Sequence, residues 1–173
     1  MNQKELNKIL DDHKLWLKTN GEKGARANLR YANLSYAELS SANLSYAELS
    51  SANLSYANLR YADLRYANLS YADLRYANLS YAELSSANLS YANLRYADLD
   101  YSAFPLWCGG LDVHIDDRQA TQLLYHFIRN VKYSKNTSKA LKKMCRIKSL
   151  VKQANQFHRV NECGEIESEV QGE

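Results

Sequence analysis

Cysteine and histidine side chains are the groups in this chain whose chemistry could build an active site or a metal site. Beyond residue 107 they occur as Cys108, His114, His126, Cys145, His158 and Cys163. Four such ligands brought together would bind zinc, and a cysteine beside a histidine would supply a nucleophile with its base. No pair has the tight Cys-x-x-Cys spacing. We therefore expect buried thiols and hydrogen-bonded histidines, with no catalytic residue, no cofactor and no metal.

Charge and apolar patterning exclude several further classes of protein. The 173 residues include 22 basic and 19 acidic ones, a balance that does not indicate nucleic-acid binding. No run of 18 apolar residues is present, and charges are scattered through residues 1–18, so neither a membrane span nor a signal peptide is expected. The three cysteines are odd in number and far apart, which favours a reducing cytoplasm over a disulfide framework.

Leucine recurs at every fifth position in the middle of the chain. Alanine stands two residues before each leucine, an Asn, Asp or Glu stands directly before it, and the fifth position is Tyr or Ser. Phenylalanine takes the sixteenth leucine place. The predicted core consists of Leu29, Leu34, Leu39, Leu44, Leu49, Leu54, Leu59, Leu64, Leu69, Leu74, Leu79, Leu84, Leu89, Leu94, Leu99 and Phe104.

A period of five fits neither regular helix nor flat strand. An α-helix turns about 100° per residue, so steps of five would scatter the leucines around every face. A straight strand would send alternate leucines to opposite sides. A chain that bends once in every five residues instead points each leucine, and the alanine two before it, toward one axis. The core would then be filled by side chains and contain no pocket.

The run of Ala-(Asn/Asp/Glu)-Leu-(Ser/Arg)-(Tyr/Ser) over residues 25–104 resembles the pentapeptide-repeat family. The resemblance implies a mainly β fold, a right-handed quadrilateral parallel β-helix with four repeats per coil. Sixteen repeats then give about four coils. The N-terminal segment and the blocks at 108–118 and 157–164 also look like the end modules of phage and bacterial members of this family.

The segments on either side of the repeat are expected to be helical. Residues 1–24 form an N-terminal capping helix and linker, with apolar residues and His13 on one face. Residues 105–164 form a C-terminal module of two helices, the first capped by Asp116 and Gln119. Its second helix is predicted over 138–160, and 165–173 is a loose tail. The apolar face of its first helix is expected to contain Leu123, Leu124, Phe127, Ile128 and Val131.

Residues 20 apart should share one face of such a coil. This places Tyr36, Tyr56, Tyr76 and Tyr96 in one column, which is either a ladder that stiffens the fold or an interaction surface. Some members of the family resemble DNA and bind topoisomerases, a role that requires an acidic rod. Residues 25–104 contain seven acids and six arginines, a net charge of −1, and no face is an acidic stripe.

The sequence therefore predicts a non-enzymatic, cytoplasmic scaffold or protein-binding solenoid with an unknown protein partner. The C-terminal module permits a homodimer, and we expect neither nucleic acid nor a membrane as partner. A DNA-mimic modulator of a type II topoisomerase and a metal-binding C-terminal module are the alternatives. The basic stretch at 139–152 is expected to be a solvated helix face, with phosphate contact as its alternative.

Overall fold

A computed structural model describes residues 1–103, 113–133 and 148–156 of the chain. It divides the chain into two compact units, Met1–Ile115 and Asp116–Glu173, which are described separately below. Several residues singled out from the sequence lie outside the described part, namely Phe104, Cys108, Cys145, His158 and Cys163, together with the side chain of His126. Within the described part, no helix is both long enough and apolar enough to cross a membrane.

The repeat winds so that each residue pairs with the residue 20 positions later. Parallel β-bridges run from Asn28 with Glu48 to Glu83 with Ala103, always at this spacing. Around Leu64, for example, the Leu64 N–H donates to the Glu83 carbonyl at 2.8 Å, and its neighbour Asp63 donates to Ala42 at 2.9 Å. Each side of a coil contributes one bridging residue, so the described repeat contains isolated bridges rather than continuous strands.

The axis of the coils is filled by leucine and alanine. All fifteen repeat leucines are buried, with at most 6% of their surface exposed. The repeat alanines from Ala47 to Ala97 are buried as well. In contrast, Ala32, Ala37 and Ala42 are only partly buried, because they belong to the first coil and have no coil before them. The interior is therefore close-packed along its length and less protected at its first turn.

The first helix, α1, spans Gln3–Lys18 and packs on the start of the repeat. Asn2 and Glu5 form a capping box that satisfies the free N–H groups at its N-terminus. Its end is set by Gly21, whose left-handed backbone lets its N–H reach the Trp16 carbonyl at 2.9 Å. Leu6 is buried in the leucine core, and Ile9 and Leu10 pack against it. The amphipathic pattern predicted this helix over residues 2–19.

After the repeat, a short segment adds one more bridge to the same unit. His114 pairs with Asn93 at a spacing of 21 residues instead of 20. Its N–H donates to the Ala92 carbonyl and its carbonyl accepts from Leu94, both at 2.8 Å. Val113 and Ile115 pack against the leucine core. The bridged column therefore continues beyond the pentapeptide pattern through residues that do not match it.

The second unit contains α2, Asp117–Tyr133, and α3, Lys148–Ala154. The predicted cap of α2 is confirmed, because Asp116 and Gln119 exchange two hydrogen bonds at 3.1 Å. The predicted second helix over 138–160 was too long at its end, since α3 stops at Ala154 and residues 155–156 form a turn. Residues 138–147 and 157–160 lie outside the described part.

The packing of α2 on α3 corrects one predicted core residue. The cluster between them contains Tyr125, Ile128 and Val131 from α2 with Val151 and Ala154 from α3. Phe127, assigned to the apolar face from the sequence, is 54% exposed. The buried positions follow spacings of three and four residues through Tyr125, and Phe127 lies one position off that stripe. Tyr125 was missed because its polar hydroxyl, here bonded by Arg129 at 3.2 Å, suggested a surface residue.

Candidate interaction surface

The fifth residue of each repeat forms the corner of the coil in a left-handed backbone conformation. From Tyr31 to Tyr101 these residues have φ between 58° and 64°, a region that costs a non-glycine residue energy. The turn is closed by a hydrogen bond such as that from the Ala32 N–H to the Leu29 carbonyl at 3.1 Å. Every corner therefore turns the chain toward the next side and points a Tyr or Ser side chain outward.

Because the coils repeat every 20 residues, the corner tyrosines lie directly above one another. The residues at one corner form the four-tyrosine column, which consists of Tyr36, Tyr56, Tyr76 and Tyr96. Their ring centroids are 4.9, 4.7 and 4.8 Å apart, with interplanar angles of 6° to 11°. All four side chains are exposed, between 45% and 70%. The column is thus a continuous aromatic ridge on the outside of the coils.

The stacking determines what this ridge can contact. The ring faces inside the four-tyrosine column cover one another, so the column presents ring edges and hydroxyl groups to solvent. A nucleic-acid base or a sugar that needs an open aromatic face has no place to stack between these rings. Ring edges and hydroxyls are suited instead to apolar contact and hydrogen bonding with the surface of a folded partner.

Serine interrupts the other three corners. Ser41 precedes the stacked Tyr61, Tyr81 and Tyr101, and Ser51 separates Tyr31 from the stacked pair Tyr71 and Tyr91. At the fourth corner Tyr46 stacks on Tyr66, and Ser86 comes next. The four-tyrosine column is therefore the corner with the longest unbroken stack among the described coils. Its interrupted neighbours have the same backbone and are natural comparisons for it.

The arginines of the repeat are largely engaged with neighbours on the coil. Arg60 lies over the rings of Tyr61 and Tyr81, at 4.7 and 5.4 Å from their centroids. Arg65 and Arg75 each form a two-pronged ion pair with the acid two residues before, at 2.6 and 2.7 Å for the shorter contacts. These hydrogen bonds hold the pKa of Asp63 and of Asp73 below the usual carboxyl value. Neighbouring acids and bases therefore cancel locally, and the described coils carry no acidic stripe.

The position before each leucine has a local structural role. Asn53, for example, accepts hydrogen bonds from both the N–H and the hydroxyl of Ser55, at 3.0 and 2.7 Å. The same contact recurs along the repeat at Asn33, Asn43, Asn68 and Asn78. An Asn or Asp side chain that bonds the backbone two residues later stabilises a turn, which explains its preference here.

The residues considered for metal binding or catalysis do not form a described site. His114 is exposed and lies at the bridge with Asn93. Among residues 1–103, 113–133 and 148–156, no group of three His, Cys, Asp or Glu side chains could hold a metal ion. The convergence of Cys108, His158 and Cys163 concerns residues outside the described part.

Comparison with known proteins matches the repeat. The family model described as pentapeptide repeats matches eight copies, at residues 25–60 and 67–100. A crystal structure of a pentapeptide repeat protein from Nostoc Pcc 7120 is 30% identical, with 61% of this chain and 93% of that chain covered and a TM-score of 0.46. No curated protein sequence matches the chain.

Two further solved structures are similar over the repeat. A pentapeptide repeat protein from the Arabidopsis thaliana thylakoid lumen is 27% identical, with coverage of 58% of this chain and 72% of that chain and a TM-score of 0.49. Full-length QnrB1, a plasmid-mediated fluoroquinolone resistance protein, is 19% identical, with coverage of 62% and 75% and a TM-score of 0.18.

Proposed function

Because this chain belongs to the pentapeptide repeat family of β-helical solenoids, we propose that it is a non-enzymatic scaffold that binds another protein through the four-tyrosine column. The observation that carries the proposal is the unbroken, exposed stack from Tyr36 to Tyr96. The interior of the coils is occupied by leucine and alanine, so binding has to use the outer surface.

Stacked tyrosines are well suited to such a contact. Tyrosine is enriched in protein interfaces and among the residues that dominate binding energy. A ring already held between two others has little rotational freedom left to lose when a partner binds. The four-tyrosine column therefore offers a pre-organised surface, and its hydroxyls can select a partner with matching polar groups.

The test compares two corners that differ in the continuity of their stacks. One full-length variant replaces Tyr36, Tyr56, Tyr76 and Tyr96 by serine, and a control replaces Tyr31, Tyr71 and Tyr91 by serine. Serine already occupies three corner positions, so the left-handed turn should tolerate it. Far-UV circular dichroism and thermal melting establish that both variants fold.

Partners are first captured from the native host with the wild-type chain, and the affinity of each purified partner is then measured with all three proteins. We expect at least a tenfold loss of affinity for the first variant and little change for the control. Equal affinity of the wild type and the four-serine variant for every captured protein would disprove the assignment of the column.

We place this role in the cytoplasm, on the basis of the three widely spaced cysteines. We also propose that the C-terminal module can pair two copies, which would present two columns to one partner and increase the avidity. Sedimentation of the full chain at micromolar concentration tests the dimer. Fractionation of the native host tests the location.

A further inference from the structure

The attachment of α1 to the first coil depends on a few contacts that occur once in the molecule. Trp16 meets the ring of Tyr46 edge-on at 6.5 Å. The Ala25 N–H donates to the Asp12 carbonyl at 3.2 Å as the chain returns along the helix. His13 makes the contact that reaches farthest into the coil, because its ring is fully buried between α1 and the start of the repeat.

The hydrogen bond of His13 determines the form of its ring. The backbone N–H of Ala27 donates to His13 Nδ1 at 3.1 Å, so Nδ1 must hold a lone pair and cannot carry a proton. The neutral ring then carries its proton on Nε2, which is buried and has no hydrogen-bond partner within normal distance among the described residues. Trp16 stacks on the other side of the ring at 5.8 Å. We call the His13–Ala27 contact the His13 clasp.

The surroundings of the ring favour this neutral form. Burial lowers the pKa of His13 below its ordinary value, and the positive charge of Arg26 lowers it further, against a smaller opposing effect from the backbone of Ser45. Arg26 is held in place by the carbonyl of Tyr46 and by the Glu48 carboxylate, the latter at 2.6 Å. From α1, the linker and the first coil, Arg26 is the charged group that acts on the ring.

Protonation would be incompatible with the clasp. A second ring proton has to be placed on Nδ1, where it would point at the N–H of Ala27 and set two donors against each other. The new charge would also be buried without a counter-ion in contact. We propose that His13 is a pH-sensitive clasp, and that its protonation releases α1 from the first coil and uncovers the backbone edge of that coil.

The first coil has an edge for α1 to protect. In the second coil, the N–H groups of Asn53, Asn58 and Asp63 donate to first-coil alanine carbonyls at 2.9 Å. The equivalent N–H groups of the first coil have no acceptor among the described residues; they belong to Asn28, Asn33, Glu38 and Asn43. Leu29, Leu34 and Leu39 are nevertheless buried. Departure of α1 would expose apolar surface beside an unpaired edge, a combination that invites association with other strands.

The pH range of the release follows from the direction of the pKa shift. A histidine whose pKa is lower in the closed form contributes stability fully above its ordinary value near 6.5 and loses it as the pH falls below that value. The lowered pKa values of Asp63 and Asp73 affect stability only below about pH 4. The interval between about pH 6.5 and 5 therefore isolates His13 from these carboxylates.

The experiment uses the full-length chain with Trp107→Phe, which leaves Trp16 as the single tryptophan. Trp16 fluorescence, the protection of the Ala27 amide against hydrogen exchange and the NMR titration of the His13 ring are followed from pH 8 to 5. We expect Trp16 emission to shift to the red and Ala27 protection to fall by up to about tenfold per pH unit. Both changes should follow the His13 titration, while the circular dichroism of the repeat stays constant.

Two variants complete the test. His13→Gln keeps an acceptor for the Ala27 N–H but cannot titrate, so its Trp16 signal should stay constant with pH. His114→Gln alters an exposed histidine and should keep the wild-type transition. A flat Trp16 and Ala27 response in the wild type, or an unchanged transition in His13→Gln, would overturn the proposal. Should His13→Gln be open at every pH, the wild-type titration decides, because a His13 pKa out of step with Trp16 release also overturns it.

Discussion

The coils of the repeat and the helix that covers their first turn are held in opposite ways. Within the coils, each contact is made many times: the same leucine position, the same turn and the same backbone bond recur at every side. The attachment of α1 uses single contacts, among them His13 with Ala27 and the close approach of Gly24 to the helix. Repetition makes the coils predictable from sequence, whereas the attachment depends on individual residues.

The strongest way to break the repeat is a charge on its axis. Leu64 is fully buried in the middle of the coils, so Leu64→Asp would place an unpaired carboxylate in a close-packed core. We expect cooperative thermal unfolding, followed by circular dichroism, to be lost. Ser40→Asp is the matched control, because Ser40 is exposed and Asp100 occupies the same repeat position in the last coil. A normal melting curve for Leu64→Asp would contradict the solenoid.

A cavity on the axis should have a smaller effect. Leu64→Ala removes buried methyl groups where neighbouring coils leave little freedom to collapse, and we expect a loss of about 2–5 kcal/mol in unfolding free energy. Denaturant titration measures it. Leu15→Ala, at a 40% exposed site on α1, should cost much less. Similar losses at the two sites would show that the axis is not the source of stability.

The attachment of α1 is tested by a single methyl group at Gly24. Gly24 has a φ of +75°, and an added Cβ would lie 2.2 Å from the Asp12 carbonyl oxygen. We expect Gly24→Ala to cost about 1–3 kcal/mol and to shift Trp16 fluorescence toward that of a solvent-exposed ring. Gly21→Ala is the comparison, because its Cβ would meet only the Trp16 side chain, at 3.2 Å. An equal effect at both glycines would argue against a specific contact at Gly24.

The four-tyrosine column should contribute modestly to stability. In a double-mutant cycle of Tyr56→Ser and Tyr76→Ser, whose rings are 4.7 Å apart, we expect a coupling of about 0.5–1.5 kcal/mol. The measurement is denaturant unfolding of the four proteins. The cycle of Tyr56→Ser with Tyr66→Ser, two tyrosines at different corners, serves as control and should show no coupling. Absence of coupling in the first cycle would leave the column without a stiffening role.

The smallest effect is expected at the ion pairs. Asp73→Asn keeps the acceptor for the Arg75 N–H and gives the residue most common at this position, so unfolding at pH 7 should hardly change. The lowered pKa of Asp73 adds stability above the ordinary carboxyl value and loses it as the pH falls through that range. The variant should therefore show less acid destabilisation than wild type between about pH 4.5 and 2.5. Identical acid limbs would exclude a contribution from the Asp73–Arg75 pair.

Much of the described fold was accessible from the sequence because its information is repeated. The period of five placed the leucines on the axis and the four tyrosines in one column, and the capping residues of α2 were recognisable as Asp116 and Gln119. The left-handed corners were not predicted, since tyrosine rarely adopts positive φ and no local rule favours it there. Tertiary packing, not propensity, selects that conformation.

The contacts that are made once were the ones missed. Nothing in the sequence relates His13 to Ala27, because their hydrogen bond depends on the return of the chain past Gly24. The exposure of Phe127 depends on how α2 rotates against α3, which a hydrophobic pattern alone leaves open by one position. The handedness and the number of coils stay predictions from the family resemblance.

The spacing of 20 residues between paired positions also governs how such a chain can change length. Removing one whole circuit brings the leucine, turn and bonding positions of the remaining parts back into register, so both ends see an unchanged neighbour. One extra residue within the repeat would instead turn every later leucine away from the axis. The 21-residue step at His114 occurs where the pattern has already ended. Recombination between repeats would therefore yield folded descendants in increments of a full circuit, which gives this architecture a built-in unit of evolutionary growth.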